Sequence, residues 1–344
     1  MKPRILIAFL LGLSLAQVGI SGAHAASATV SKPAAKKTVV KKQVAKPAPK
    51  KVVAKSTTAT ARKVSIKRAP VAPPADEGEL TLDAHGNPQL RSSAFYVLNE
   101  ATGNVLLERN SASIVPIASI TKLMTAMVVL EAGQSLSEEL VISDADIDTL
   151  KGTGSRLVLG TRLSREEMLH LALMSSENRA ASALARHYPG GLPAFVEAMN
   201  VKARLLGMWD TRFHDSTGLT PANVSSPRDL AKMVEAASSY PLIREFSTSS
   251  ERYVDIKGRS LRFGNTNGLV RSPDWEIAVS KTGYINEAGR CLVMKAWMHK
   301  QPVVIVLMDS VGRYTRTADA QRVRKWLEAA GGERFVVAAG GHSS

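Results

Sequence analysis

Strand-like and helix-like spacing of apolar residues alternate along residues 90–335 and predict where the elements lie. Ser93 to Asn99 reads as a strand, Ala101-Thr102-Gly103-Asn104 as a turn, and Val105 to Glu108 as the hairpin partner. Ser119 to Gly133 reads as a helix, because Ile120, Leu123, Met124, Met127, Val128 and Leu130 form a broad apolar face and Gly133 supplies a stop. Ser164-Arg165-Glu166-Glu167 carries the capping-box pattern and opens a helix that runs to Met174. Asn178 to Tyr188 and Leu192 to Leu206 are further helical stretches, separated by Pro189-Gly190-Gly191, and Ser226-Pro227 starts another with proline at the first helical position. From Tyr253 onward the spacing becomes that of strands: Tyr253 to Ile256, Ser260 to Phe263, Ile277 to Lys281, Cys291 to Trp297 and Val303 to Met308. A helix from Thr317 to Ala329 closes the domain, leaving residues 336–344 as a short tail. Strands at both ends and helices between them predict an α+β fold whose termini share one antiparallel sheet.

Charge changes this picture only for the first residues. The chain of 344 residues has a formal net charge of +15, but residues 1–75 hold 15 Lys and Arg and no acid. Residues 76–344 therefore hold 45 − 15 = 30 basic residues against all 30 acidic ones, and the predicted domain is neutral. Lys2 and Arg4, the apolar run from Ile5 to Ala16 and the small-residue end at Ala23-His24-Ala25 read as a cleaved secretory signal over residues 1–25. Gln17, Gly19 and Ser21 interrupt the run well short of the roughly 20 apolar residues that a membrane span needs. Residues 26–89, rich in Lys, Ala and Pro, cannot bury a core and are expected to be a disordered cationic linker.

In a cytosolic protein such a tail would suggest nucleic acid. The export signal removes that partner, and the aromatic content of 5% is too low and dispersed for a base-stacking surface. Two readings of the tail stay open for a periplasmic protein: a salt-sensitive contact with anionic envelope polymers, or a solvated spacer. Cys291 is the only cysteine, so no intramolecular disulfide forms, and its strand-like setting marks a buried structural thiol. His85, His170, His187, His214, His299 and His342 are scattered without metal-ligand spacing, so no metal or other cofactor is expected.

Three short motifs carry the candidate chemistry: Ser119-Ile120-Thr121-Lys122, Ser176-Glu177-Asn178 and Lys281-Thr282-Gly283. Ser119 and Lys122 stand three apart on one helix, so the amine can reach the hydroxyl and serve as its base. That role needs the amine's pKa pulled toward neutrality by burial and by a second cation, for which Lys281 is the natural candidate. The helix N-terminus adds free N–H groups and a positive dipole end beside Ser119. Ser176, projected from a loop between helices, would relay a proton to a leaving amine, and Asn178 would hold either a substrate amide or Lys122. Lys281-Thr282-Gly283 ends an apolar strand, where Gly283 would let a substrate backbone approach the edge and the N–H of Tyr284 would complete an oxyanion hole. Each motif alone is weak. Their order and their settings on helix start, interhelical loop and strand are what the chemistry requires.

With Pro116-Ile117-Ala118 before the first motif, Ser155, Ser216-Thr217-Gly218-Leu219 and Asn265-Thr266-Asn267, the chain resembles the low-molecular-mass penicillin-binding proteins, the D-alanyl-D-alanine carboxypeptidase and endopeptidase family. The resemblance implies the serine β-lactamase/DD-peptidase-like fold, an antiparallel sheet flanked by helices with a helical subdomain. It also implies an acyl-enzyme on Ser119, action on peptidoglycan stem peptides and covalent inhibition by β-lactams. Arg316 resembles the family's arginine near the substrate's terminal carboxylate. The run from Lys281 through Tyr284-Ile285-Asn286-Glu287-Ala288-Gly289-Arg290 to Met294 looks like the endopeptidase branch, which cleaves D-alanyl cross-links. After Gly283 only 344 − 283 = 61 residues remain, so the extra β domain and C-terminal anchor typical of the carboxypeptidases are not expected. The alternative is a D-Ala-D-Ala carboxypeptidase. A β-lactamase is disfavoured because no E-x-x-L-N segment lies between Asn178 and Lys281, and a catalytically dead wall-binding module because the motif set is intact.

Overall fold

The computed structural model describes residues 79–329. The signal peptide, most of the cationic linker and the C-terminal tail fall outside them. In chain order the elements are strands β1 (Ser92–Asn99), β2 (Asn104–Arg109) and β3 (Val115–Pro116), helix α1 (Thr121–Glu131), strands β4 (Glu139–Val141) and β5 (Arg162–Ser164) and helices α2 (Arg165–Met174), α3 (Asn178–Arg186) and α4 (Gly191–Leu205). Strand β6 (Val224–Ser225), helices α5 (Pro227–Ala237) and α6 (Pro241–Thr248), strands β7 (Glu251–Asp255) and β8 (Ser260–Gly264), strands β9 (Glu276–Ile285), β10 (Gly289–Met298) and β11 (Gln301–Ser310), and helix α7 (Thr315–Ala329) follow.

The main sheet runs β2-β1-β11-β10-β9, every pair antiparallel, so the first and last strands of the domain do share one sheet. Both faces are covered. On β11, Val304, Val306 and Met308 face the larger core with α1 and α2, whereas Val303, Ile305 and Leu307 face a second core under α7. That two-sided burial is why the strand reads as an unbroken apolar run rather than as an alternating one. The helix starts follow local chemistry: Ser164 Oγ accepts from the Glu167 N–H at 3.1 Å while the Glu167 carboxylate accepts from the Ser164 N–H at 3.0 Å. A cap of this kind contributes about 1 kcal/mol.

Three local details differ from the sequence expectation. Packed structure starts before Leu90: Leu82 bridges Pro88, the Glu79 carbonyl accepts from Arg322, and Trp326 Nε1 donates to the Gly86 carbonyl at 2.8 Å, tying this turn to α7. Helix α6 lies between the stretches whose spacing predicts elements; it begins with proline after Tyr240 and turns Ile243 and Phe246 inward. Strand β9 does not end at Lys281-Thr282-Gly283 but continues to Ile285, pairing with β10 through Gly289. The third motif therefore lies in mid-strand, on the outer strand of the sheet, with one strand edge open toward α1 and the loops beside it.

Candidate active site

Ser119 sits in a single 3-10 turn, Ala118–Ile120, that leads directly into α1. The turn begins on Ala118 with φ of 47°, a left-handed conformation that costs a non-glycine residue about 1–3 kcal/mol. Two glycines hold it there. A Cβ on Gly218, itself at φ of 80°, would lie 1.9 Å from the Ala118 carbonyl oxygen, so only glycine fits against this turn. On the other side β9 passes so closely that a Cβ on Gly283 would lie 3.0 Å from the Ile117 oxygen and 3.2 Å from Ser119 N. The missing side chain of Gly283 thus makes room for the serine turn itself.

One turn along, the fully buried Lys122 points its Nζ at three acceptors: Ser119 Oγ at 2.9 Å, Asn178 Oδ1 at 2.7 Å and the Thr217 carbonyl at 2.7 Å. Burial lowers the lysine pKa to about 7, against the opposing pull of Asp215 and Glu177. A neutral amine has two hydrogens and one lone pair. With Asn178 and Thr217 offering fixed acceptors for the two hydrogens, the lone pair is left for the Ser119 hydroxyl. Asn178 is aligned from both ends, since its Nδ2 donates to Thr153 Oγ1 at 3.0 Å. Of the two roles open to it in the sequence, the structure supplies the contact to Lys122.

Ser176 projects from the junction of α2 and α3 with φ of 62°. Buried Lys281 donates to Ser176 Oγ at 2.9 Å and to the Thr282 carbonyl at 2.9 Å. Its pKa is lowered well below the ordinary 10.5, by burial first and then by the charges of Lys122 and Arg316. Burial, the first of the two causes expected from sequence, is the leading one for both amines, and the proximity of the two cations adds to it at Lys281. Glu177 pins the loop above the junction by accepting from Ser155 Oγ at 2.7 Å, and Thr282 Oγ1 meets Thr266 Oγ1 at 2.7 Å.

These residues border a cleft of ≈ 590 Å³ into which Ser119, Ser176, Asn178, Thr282, Gly283 and Tyr284 all open. Lys122 and Lys281 lie buried beneath its floor. Arg316, in the first turn of α7, also lines it and donates to the Gly283 carbonyl at 3.2 Å. Every residue expected from sequence is thus at one site. No group of three or more His, Cys, Asp or Glu among the described residues could hold a metal ion.

A family model described as D-alanyl-D-alanine carboxypeptidase (peptidase S11) matches residues 81–312. The chain belongs to that family. It is a serine DD-peptidase with the α+β fold of its relatives. It is 49% identical over 242 residues to a D-alanyl-D-alanine endopeptidase of Pseudomonas aeruginosa, covering 70% of this chain and 78% of that one. It is 45% identical over 261 residues to an Escherichia coli protein of the same name, covering 75% and 84%. Relatives named D-alanyl-D-alanine carboxypeptidase, such as that of Bacillus subtilis, match at 30% identity or less. Among solved structures, penicillin-binding protein D2 of Listeria monocytogenes in its cefotaxime-bound form superposes with a TM-score of 0.63 at 28% identity, covering 70% of this chain and 98% of that one.

The sequence reading of this DD-peptidase missed the turn that feeds Lys122. Asp215 accepts from the N–H groups of Thr217 (2.9 Å), Gly218 (2.6 Å) and Thr220 (3.1 Å), and so fixes the Thr217 carbonyl and Gly218 in place. The run Asp215-Ser216-Thr217-Gly218 is an Asx-turn signature, and that was the available signal. Also missed were Arg271, Arg290 and Arg313, which line the cleft. Cys291 is fully buried and its thiol is pushed up to about 11 by burial, an inert core residue as expected.

Proposed function

We propose that this DD-peptidase is an exported, periplasmic endopeptidase that opens D-alanyl cross-links between peptidoglycan stem peptides, with Ser119 as nucleophile. The observation that carries the chemistry is the three-way setting of Lys122 Nζ between Ser119, Asn178 and Thr217, with its pKa at about 7. Neutral Lys122 takes the Ser119 proton as Oγ attacks the D-alanyl carbonyl carbon. The oxyanion is received by the N–H groups of Ser119 and Tyr284, at the close approach of β9 to the serine turn. The C–N bond then breaks, and the leaving amine receives a proton through Ser176, which Lys281 polarises at 2.9 Å. Water attacks the resulting ester, Ser119 regains its proton, and the acyl strand leaves with a free D-alanyl carboxylate. A β-lactam enters the same first step and stays attached, because its leaving nitrogen remains tethered to the acyl group.

The endopeptidase assignment is supported by the names of the relatives above 40% identity, against carboxypeptidase names at 30% and below. Mass spectrometry of purified dimeric and monomeric muropeptides before and after incubation tests it. Conversion of dimers to monomers with pentapeptide monomers left intact is expected. Loss of one alanine from monomers with dimers untouched would make the protein a carboxypeptidase. The segregation of positive charge into residues 1–75 supports a second, salt-sensitive contact of the tail with anionic envelope polymers.

A further inference from the structure

The cleft beside Ser119 is lined by four arginines, Arg271, Arg290, Arg313 and Arg316, and by no carboxylate. None of the four forms an ion pair among the described residues, although residues 76–344 hold equal numbers of acidic and basic residues. Neutrality overall with a one-sign wall in the cleft is a built feature, because like charges gathered without partners repel. The placement adds to that cost. Arg316 lies in the first turn of α7, a turn with no acidic residue, where the helix dipole is already positive. Burial and the neighbouring Arg290 lower its pKa from the ordinary value.

Arg316 alone would satisfy one carboxylate next to the scissile nitrogen. Arg290 is near enough to Arg316 to act on its charge, and Arg313 stands three residues before it, both lining the same cleft. Arg290 belongs to β10 directly opposite Tyr284, with its guanidinium carbon 4.4 Å from the centre of the Tyr284 ring. Arg313 precedes α7 and lies 5.5 Å from the centre of the Tyr314 ring. Stacking on an aromatic face orients a guanidinium while leaving its N–H edge free for an anion. We infer that Arg290 and Arg313 form a second carboxylate subsite on the leaving-group side of the cleft, selecting a departing strand that carries two free carboxylates over departing D-alanine, which carries one.

This rests on the DD-peptidase chemistry proposed above and names what distinguishes a cross-link from a simple terminal D-alanine. No new bond chemistry is involved; the subsite acts through binding of the departing amine. The test uses the full chain and three synthetic peptides, each an N-acylated lysyl-D-alanyl unit joined to D-glutamate, D-glutamine or D-alanine as leaving group. D-Glutamate and D-glutamine have the same size and differ by one charge. The wild-type kcat/KM is expected to be at least tenfold higher for D-glutamate than for D-glutamine, the scale of one charge-assisted contact. In Arg290→Gln and in Arg313→Gln that ratio should fall toward one, and in the double variant it should reach one.

Two results would overturn the subsite: a wild-type ratio near one, which needs no variant to observe, or a wild-type preference that persists unchanged in the double variant. Acylation of each variant by a β-lactam verifies that the Ser119 machinery is assembled. Failure of the endopeptidase reading is a separate outcome, seen as wild-type protein that leaves dimeric muropeptides intact whatever its preference among the three peptides.

Discussion

Replacing Asn178 by aspartate puts a negative charge where a neutral acceptor now holds Lys122. The Asn178 Oδ1 lies 2.7 Å from the buried Lys122 Nζ at the part-buried edge of the cleft, and aspartate is nearly isosteric, so the geometry is preserved. With the carboxylate charge centred about 4 Å from the amine and an effective dielectric of about 20, the charged form of the lysine gains about 4 kcal/mol. At about 1.36 kcal/mol per pKa unit this raises Lys122 by about 3 units. The wild-type value is about 7, so half of the enzyme holds a neutral base at that pH. In Asn178→Asp the neutral fraction at neutral pH falls to roughly one in a thousand, and acylation should slow about 500-fold.

The sign is what makes the assay decisive. The base works in its neutral form, so acylation rises with pH through the Lys122 pKa and is lost as pH falls below it. Stopped-flow acylation by a chromogenic β-lactam should show a wild-type rise centred near the lysine's value of about 7. The aspartate variant should show the rise displaced by about 3 units, with the rate recovering in alkali. Asn178→Leu, which removes the acceptor without adding charge, should slow acylation with no upward displacement. A variant Asn178→Asp whose rise stays at the wild-type position, or whose loss alkali does not restore, would refute Lys122 as the base.

Gly218→Ala should lower stability by about 3 kcal/mol, through a left-handed backbone position and a clash with the serine turn, read as a lower urea midpoint; a shift below about 1 kcal/mol would contradict the packing described. Cys291 should resist iodoacetamide in the folded protein at mildly alkaline pH and react after unfolding, because it is fully buried and its thiol is raised to about 11. Deleting residues 27–74 should abolish salt-sensitive sedimentation with sacculi or anionic vesicles while leaving β-lactam acylation intact; equal sedimentation of both forms would remove the tail's proposed role.

Residues whose roles depend on short-range spacing were legible in the sequence. Lys122 reaches Ser119 from the first turn of α1 as their spacing predicts, although Ser119 itself lies in the 3-10 turn before that helix; Ser164 announces α2, and the unbroken apolar run of β11 matches a strand buried on both sides. What failed depended on approach in space. The strand containing Lys281 continues to Ile285, because pairing with β10 past a tight turn at Asn286 to Ala288 outweighs a glycine within the strand. Gly283 is required by the backbone of Ile117 to Ser119, more than 160 positions earlier in the chain, which no local pattern records. Beside Arg316, the arginines of the cleft come from β10, from the residues before α7 and from the turn before β9, so Arg271, Arg290 and Arg313 look like ordinary surface charges until the fold gathers them.

The central claim is a covalent acyl-enzyme on Ser119, formed because buried Lys122 removes its proton. Intact-protein mass spectrometry after exposure to benzylpenicillin, followed by peptide mapping, tests it most directly. A single penicilloyl adduct on Ser119, persisting beyond seconds and absent from Ser119→Ala, is the predicted result. An adduct on another residue, or one that survives in Ser119→Ala, would contradict it.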